Sequence, residues 1–512
     1  MPDDIREFLS DLERNGQLLR VKEEIDPLDD MGAFIARADY NHLDKAILFE
    51  NPKGFDIPVL ANTVGGHSYT RIASTFGVPV DGAVAAIAKK MGQAMATGGI
   101  KPIRVERDQA PCQEIVLTGD DIDLTKLPIL RTNPEDGAGG RNFLEGRFIS
   151  GVACSKPTPD GHNLSYHRFE IQSEKMGTVW VFRLTGDAQS IAESWGAAID
   201  DKEETWDKSK AKPFPMAFVL GVMPEFLLTG ANPAMPHKGD DYAIIGGMTG
   251  RAVKMVKCAT IDVDVPASAE IVIEGVFEPF EFDQQGGYAS FNGYYDKARR
   301  RPVFRVSAIT MRKKPIYQHV HIGLPLNECN NMASFFRGVR VFRDVQMVMP
   351  NLLDVFVDPA AGVGFTVHVK IKKRRIGEPR MAMMRAYTSL MGFCKHVFVY
   401  DEDIDIRNPH ERDWALAHRF MADRDLLIIP NVIGMPIDPL AQGAMGSRAQ
   451  LGVYDGHNEI PLNTRTFMGV DCTVPIGLKM MDRVVRKPEI EARIDKIWNA
   501  NMGDGASNSK NH

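Results

Sequence analysis

Two segments of this 512-residue chain combine residue types that do chemistry. Residues 161–168 read Gly-His-Asn-Leu-Ser-Tyr-His-Arg and follow a Pro/Gly turn. A strand here would carry Asn163, Tyr166 and Arg168 on alternating faces and could offer an amide and a guanidinium to one ligand. The planar guanidinium fork binds two oxygens at once, so Arg168 suits a carboxylate or a phosphate. Residues 266–295 begin as a strand, with Ile271 and Ile273 alternating, and end in a glycine-rich aromatic loop, Gln285-Gly286-Gly287-Tyr288-Ala289-Ser290. His319 and His321 share a face if 317–321 is extended; holding a metal would require a third ligand, and none is evident. Asp240 and Asp241 precede Tyr242-Ala243. Each feature taken singly also fits a structural role. No GxGxxG after a strand, no GxxxxGK and no GxSxG occurs, so dinucleotide, P-loop and hydrolase readings lack support.

The elements that must position these residues fall into three stretches, as expected for a chain too long for one core. Residues 1–115 read as a small α/β domain: Asp3 or Asp4 caps a helix with Ile5, Phe8, Leu9 and Leu12 at helical spacing, then short apolar strands (46–49, 59–61) alternate with helical stretches such as 84–95. Residues 116–325 read as β, with strands around 152 and at 179–184, 217–222, 259–265, 269–273 and 303–310, in a largely antiparallel barrel or sandwich. Residues 326–502 return to α/β. There a strand at 395–400, a helix from Asn408-Pro409 and a strand at 426–429 imply a βαβ crossover. Pro488 opens a last helix whose face of Ile490, Ile494, Ile497 and Trp498 fits either a partner subunit or its own domain. Residues 503–512 are expected to be disordered. The overall class is α/β (α+β).

Hydrophobic residues are 44% and charged residues 25%, an ordinary globular balance, and the net charge of −6 gives no case for nucleic acid. No apolar run is long enough to cross a membrane, and the N-terminus lacks the pattern of a secretion signal, so a cytoplasmic protein is expected. The six cysteines form no CxxC and read as small buried hydrophobes.

Taken together the segments resemble the UbiD family of prenylated-flavin-dependent decarboxylases, along nearly the whole chain. The resemblance implies a central split β-barrel flavin domain between two α/β domains. It places Asn163 as a metal ligand and Arg168 against the flavin and the substrate carboxylate. Tyr166, His167 and the run Trp180, Val181, Phe182, Thr185 and Gly186 fall where the family contacts its cofactor, and Asp241 falls on an acidic metal ligand. The implied cofactors are prenylated FMN, a divalent ion (Mn, Mg or Fe) and K⁺. The implied partners are an aromatic substrate, CO₂, a flavin prenyltransferase that supplies the cofactor, and further copies of the chain in a dimer or hexamer.

The chain departs from the family pattern at three positions. Leu184 stands where the family keeps a metal-binding His, with His237 a possible replacement. Gln285 and Ser290 stand where it keeps the two acids that flank the Arg. A proton donor is still needed for the carbon that loses CO₂. His319, His321, His167, Glu281 and Asp283 are the candidates to supply it, alongside water or the substrate itself. The expected activity is non-oxidative, reversible decarboxylation or carboxylation of an aromatic acid or aromatic acyl-CoA. The missing acids suggest a divergent branch similar to phthaloyl-CoA decarboxylase or phenylphosphate carboxylase. The alternative is a degenerate subunit that supports an active paralogue.

Overall fold

The structure, a computed structural model, describes residues 2–141, 144–158, 161–181, 186–196, 209, 211–233, 235, 239–390, 392–435, 437–438, 440, 464–484 and 487–502. Phe182, Leu184, Thr185, His237 and the 503–512 tail lie outside the described residues. The chain divides into two compact units. One is built on the chain up to Val339, and the other on Arg340–Asp358, Gly364–Gly434 and the residues from Thr464 on.

In the first unit, helix α1 (Ile5–Arg14) starts where the Asp4 carboxylate accepts the backbone N–H groups of Arg6 and Glu7, both at 3.0 Å. Its Ile5, Phe8, Leu9 and Leu12 are all buried, as their spacing predicts. Strands β1 (Leu18–Val21), β2 (Ala46–Phe49) and β3 (Val59–Ala61) form a sheet that β14 (Tyr317–His319) extends in parallel to β3. Helices α2 (Asp30–Tyr40), α3 (Thr70–Thr75) and α4 (Ala83–Thr97) complete this region.

The β-rich stretch is a closed barrel. Strands β6 (Phe148–Thr158), β7 (Gly161–Ser173), β8 (Met176–Trp180), β9 (Phe214–Leu220), β12 (Ile271–Gln285) and β13 (Arg299–Met311) run in the order β12-β9-β6-β7-β8-β13, and β12–β13 pairing closes the ring. Strand β5 (Ile115–Thr118) adds to β13 outside the ring. Phe169, Phe218, Phe277 and Phe304 fill the core, with neighbouring ring centroids 5.1–5.4 Å apart. Helices α5 (Gly186–Trp195), α6 (Pro224–Gly230) and α7 (Asp241–Thr249) and a three-stranded sheet of β4 (Ile103–Arg104), β10 (Lys254–Lys257) and β11 (Asp264–Pro266) accompany it. The strand expected over 259–265 shortens to β11, because the Glu274 carboxylate, rather than a neighbouring strand, accepts the N–H groups of Ala259 (2.9 Å) and Thr260 (2.8 Å).

In the second unit, β15 (Leu352–Val357), β16 (Thr366–Ile371), β17 (His396–Tyr400), β18 (Leu426–Ile433) and β19 (Thr464–Cys472) form a sheet in the order β15-β16-β17-β19-β18. The crossover expected from β17 through α8 (Pro409–Arg419) to β18 is not formed. β17 lies parallel to β16 on one side and to β19 on the other, and β18 pairs antiparallel with β19 at the edge. The mixed exposure along β18 fits an edge strand, which has one side without a neighbour. The acidic run after β17 is a salt-bridged loop: Arg419 bonds Asp401 at 3.0 Å and Asp403 at 2.6 Å.

Candidate active site

Strand β7 carries the site, and its period of two sorts the side chains onto two faces. On one face the carboxylate of Asp187, one residue into α5, gathers three donors. The Asn163 amide nitrogen lies at 3.0 Å, Ser155 Oγ at 2.7 Å and His167 Nε2 at 2.8 Å. Burial pushes the Asp187 carboxyl up, but His167 and Ser155 outweigh it and hold the pKa below the ordinary value. The backbone N–H of Leu164 donates to Asp241 Oδ2 at 2.7 Å. Burial, with Asp240 and Asp187 nearby, raises the Asp241 pKa to about 8. Sequence spacing did not single out Asp187. Its signal was an acid at the first turn of a helix directly after the strand that pairs with β7.

Tyr166, Arg168 and Glu170 occupy the other face, opposite Val152, Ser150 and Phe148 of β6. Arg168 Nη1 donates to the Ala289 carbonyl at 2.9 Å, and Nη2 lies 3.6 Å from Asp136 Oδ2. The guanidinium carbon stands 4.4 Å from the Tyr288 ring centroid and 4.9 Å from that of Phe148, a pair of cation–π contacts. The buried Nε and Nη2 have no hydrogen-bond partner in the protein. Neither do Tyr166 Oη, Glu170 Oε1, Tyr317 Oη, His319 Nδ1 or the two ring nitrogens of His321. Buried polar atoms are normally satisfied. A line of orphans beside an aromatic-flanked Arg fits a polar-edged planar ligand such as a flavin together with a carboxylate.

The loop that follows β12 is clamped from below. Gly137 N donates to Gly287 O at 2.7 Å and Gly287 N to Ala138 O at 2.9 Å. A Cβ on Gly286 would stand 2.4 Å from the Gly137 Cα, so no side chain fits there. Asp136 ties this clamp to Arg168. Its Oδ1 accepts from Ala289 N at 2.7 Å, and its Oδ2 accepts from Asn133 N at 3.1 Å and Nδ2 at 3.3 Å.

The sequence-derived candidates divide accordingly. Gln285 commits its amide to the Thr178 carbonyl (2.8 Å) and hydroxyl (3.3 Å) of β8. Ser290 closes a turn through its backbone, donating to Tyr294 O at 2.9 Å and accepting from Gly293 N at 3.0 Å. His319 and His321 do lie within the field of Arg168, but burial, aided by that positive charge, drives both pKa values down, to about 3 for His321. They are neutral imidazoles, and His319 Nε2 is 3.3 Å from Thr132 Oγ1. His167 is taken by Asp187, Glu281 bonds Arg305 Nε at 2.8 Å, and Asp283 pairs with Arg141 at 3.0 Å. The expectation that Asn163 and Arg168 address one ligand meets the strand geometry, in which an odd spacing of five puts them on opposite faces. Trp180 pairs with Arg168 across β7–β8, its ring 5.6 Å from Tyr288; Val181 is buried just after β8, and Gly186 opens α5. Among the described residues no group of three His, Cys, Asp or Glu stands at metal-ligating spacing.

The chain matches three domains of 3-octaprenyl-4-hydroxybenzoate carboxy-lyase: the N-terminal domain over residues 9–91, the Rift-related domain over 103–325 and the C-terminal domain over 330–453. It belongs to the UbiD family of carboxy-lyases. UbiD-class structures share its fold almost end to end. HmfF of Pelotomaculum thermopropionicum, solved with FMN, is 27% identical with a TM-score of 0.80, over 96% of this chain and 98% of that one. The vanillic acid decarboxylase of Sedimentibacter hydroxybenzoicus is 26% identical with a TM-score of 0.79, over 97% and 99%. The 3,4-dihydroxybenzoic acid decarboxylase of Enterobacter cloacae, at 22% identity over 96% and 99%, shares the fold with a TM-score of 0.80. No described helix of this UbiD-family chain is long and apolar enough to cross a membrane.

Proposed function

We propose that the protein removes CO₂ from, or adds it to, an aromatic acid or aromatic acyl-CoA without net oxidation, using prenylated FMN. The observation that carries this is Arg168, a buried guanidinium with two unpartnered N–H groups, flanked by two aromatic rings at the mouth of a UbiD-family loop. Prenylated FMN, when bound, supplies the electron-accepting centre. Arg168 holds the substrate carboxylate by charge-assisted hydrogen bonds, and Asp136 fixes the guanidinium. Tyr288 and Phe148 wall the site with apolar surface and exclude water. Asp241, Asp187 and the Oδ1 of Asn163 offer hard oxygen donors suited to Mg²⁺ or Mn²⁺, with K⁺ a further ion of the assembly. The α9 helix (Pro488–Met502) leaves Ile490, Ile494, Ile497 and Trp498 exposed, which suits contact with a second copy of the chain.

Anaerobic co-expression with a flavin prenyltransferase, followed by cofactor mass spectrometry and a screen for CO₂ release from aromatic acids and aroyl-CoA thioesters, tests the proposal. Stoichiometric prenylated FMN with turnover is expected. A fully loaded protein that neither releases CO₂ nor exchanges labelled bicarbonate would overturn it. That outcome favours the second reading, a degenerate subunit beside an active paralogue, which the commitment of the Gln285 amide to the β8 backbone motivates.

A further inference from the structure

Loss of CO₂ leaves a carbon that must gain a proton, and neither Gln285 nor Ser290 delivers one as a carboxylic acid does. A carboxyl does reach their loop, but from another strand. Glu170 follows Arg168 by two residues on β7, so the two side chains share a face about 7 Å apart along the strand. Glu170 Oε2 accepts the Gly286 N–H at 2.8 Å, at the residue next to Gln285, and the Gln172 amide at 3.4 Å. Across β7–β8 its register partner is Thr178, the same residue that holds the Gln285 amide. Glu170 is 1% exposed, and its Oε1 has no partner in the protein. Asp136, by contrast, spends its oxygens on Asn133, Ala289 and Arg168. One carboxylate is saturated and positions the Arg; the other keeps an oxygen free.

We propose that Glu170 is the proton donor, and in the reverse direction the proton acceptor, of this enzyme, replacing the acids missing at 285 and 290. The role rests on the decarboxylase reading above. In the forward direction the bond between the ring carbon and the carboxyl carbon breaks and CO₂ departs. The electron pair stays with the ring carbon, Glu170 Oε1–H gives its proton to form the new C–H bond, and Glu170 becomes a carboxylate. Solvent returns the proton, so one proton is consumed per CO₂ released. Carboxylation runs the same steps backwards. Gly286 N–H stays on Oε2 throughout and steadies the charged form.

The environment permits both protonation states near neutrality. Burial pushes the Glu170 pKa up to about 7, against the hydrogen bonds from Gly286, Gln172 and Thr178, while the nearby Asp136 charge adds to the rise. The groups facing Glu170 from β8, β6 and the end of β12 are Thr178, Phe148 and Gln285, all uncharged. Asp136 from the 133–141 loop and Arg168 on its own strand are the charged neighbours.

Glu170→Gln keeps an acceptor for Gly286 N–H and removes only the acid, so it separates proton transfer from loop positioning. On flavin-loaded enzyme, kcat is expected to fall about 100-fold or more. Flavin content and circular dichroism should stay unchanged, and the limb of the kcat–pH profile near neutrality should disappear. On the protein without flavin, infrared difference spectra should show a carboxylic-acid band that titrates near pH 7 and is absent from E170Q. An E170Q enzyme within threefold of wild type with an unchanged pH profile, or a Glu170 carboxyl ionised from pH 5 upward, would overturn the role while leaving the decarboxylase reading intact. An inactive, flavin-free wild type would overturn that reading and the role with it.

Discussion

The two faces of β7 both carry polar side chains and treat them in opposite ways. On the Asn163/His167 face, Asn163 and His167 both donate to the Asp187 carboxylate, whose pKa is held low, while Ser165 Oγ lacks a hydrogen-bond partner. On the Tyr166/Arg168/Glu170 face, buried donors and acceptors are left without partners, and the Glu170 carboxyl is held near neutrality. A satisfied network stabilises a fold, whereas an unsatisfied one costs stability unless a ligand completes it. The contrast therefore separates a face whose groups are largely met within the protein from one left for a ligand to complete.

Arg168→Ala should break the binding face most severely. Loss of a guanidinium that holds a reacting carboxylate should lower CO₂ release by about 10²–10³, with circular dichroism unchanged because Asp136 keeps its Asn133 and Ala289 donors. On the other face, Asp187→Ala leaves His167, Asn163 and Ser155 without their shared acceptor. It should destabilise the protein by about 3 kcal/mol in urea melts and lower bound divalent metal, whatever the substrate. A 1:1 metal content retained in Asp187→Ala would remove that residue from the proposed metal site.

Subtler changes sharpen the comparison. His321→Asn should alter kcat by less than about tenfold and leave the pH profile in place, because a neutral imidazole supplies no proton at pH 7; a lost limb in the profile would transfer the proton role to His321. The smallest expected effect is on stability against pH. Glu170 and Glu328 both have folded-state pKa values raised to about 7, chiefly by burial. Between the unfolded value of about 4.3 and 7 the folded state therefore holds protons that the unfolded state has lost. Stability should fall as pH rises through that window, and Glu328→Gln should flatten the slope; urea midpoints from pH 4.5 to 8 measure it. Asp187 has the opposite sign: its contribution is present at neutral pH and is lost only as pH falls below its ordinary carboxylate value.

Much of this was legible in the residues. The α1 cap at Asp4 and its buried face follow from spacing, and the β-rich middle of the chain is the barrel. Arg168 stood out because guanidinium chemistry and strand context agreed. Glu170 follows from the period of two at Arg168, but the family pattern keeps its acids in the loop at positions 285 and 290, and only the barrel register brings β7 against that loop. Asp187 and Asp136 become partners of β7 residues through long-range folding that spacing does not encode. The edge placement of β18 depends on β19, which pairs with it after an intervening stretch of chain.

The most direct test is a crystal structure of the protein purified anaerobically after co-expression with a flavin prenyltransferase. The account predicts flavin on the Tyr166/Arg168 face, with the orphaned Arg168 N–H groups and Glu170 Oε1 engaged by cofactor, substrate or ordered water. A flavin seated elsewhere, with those atoms still unpartnered, would contradict it.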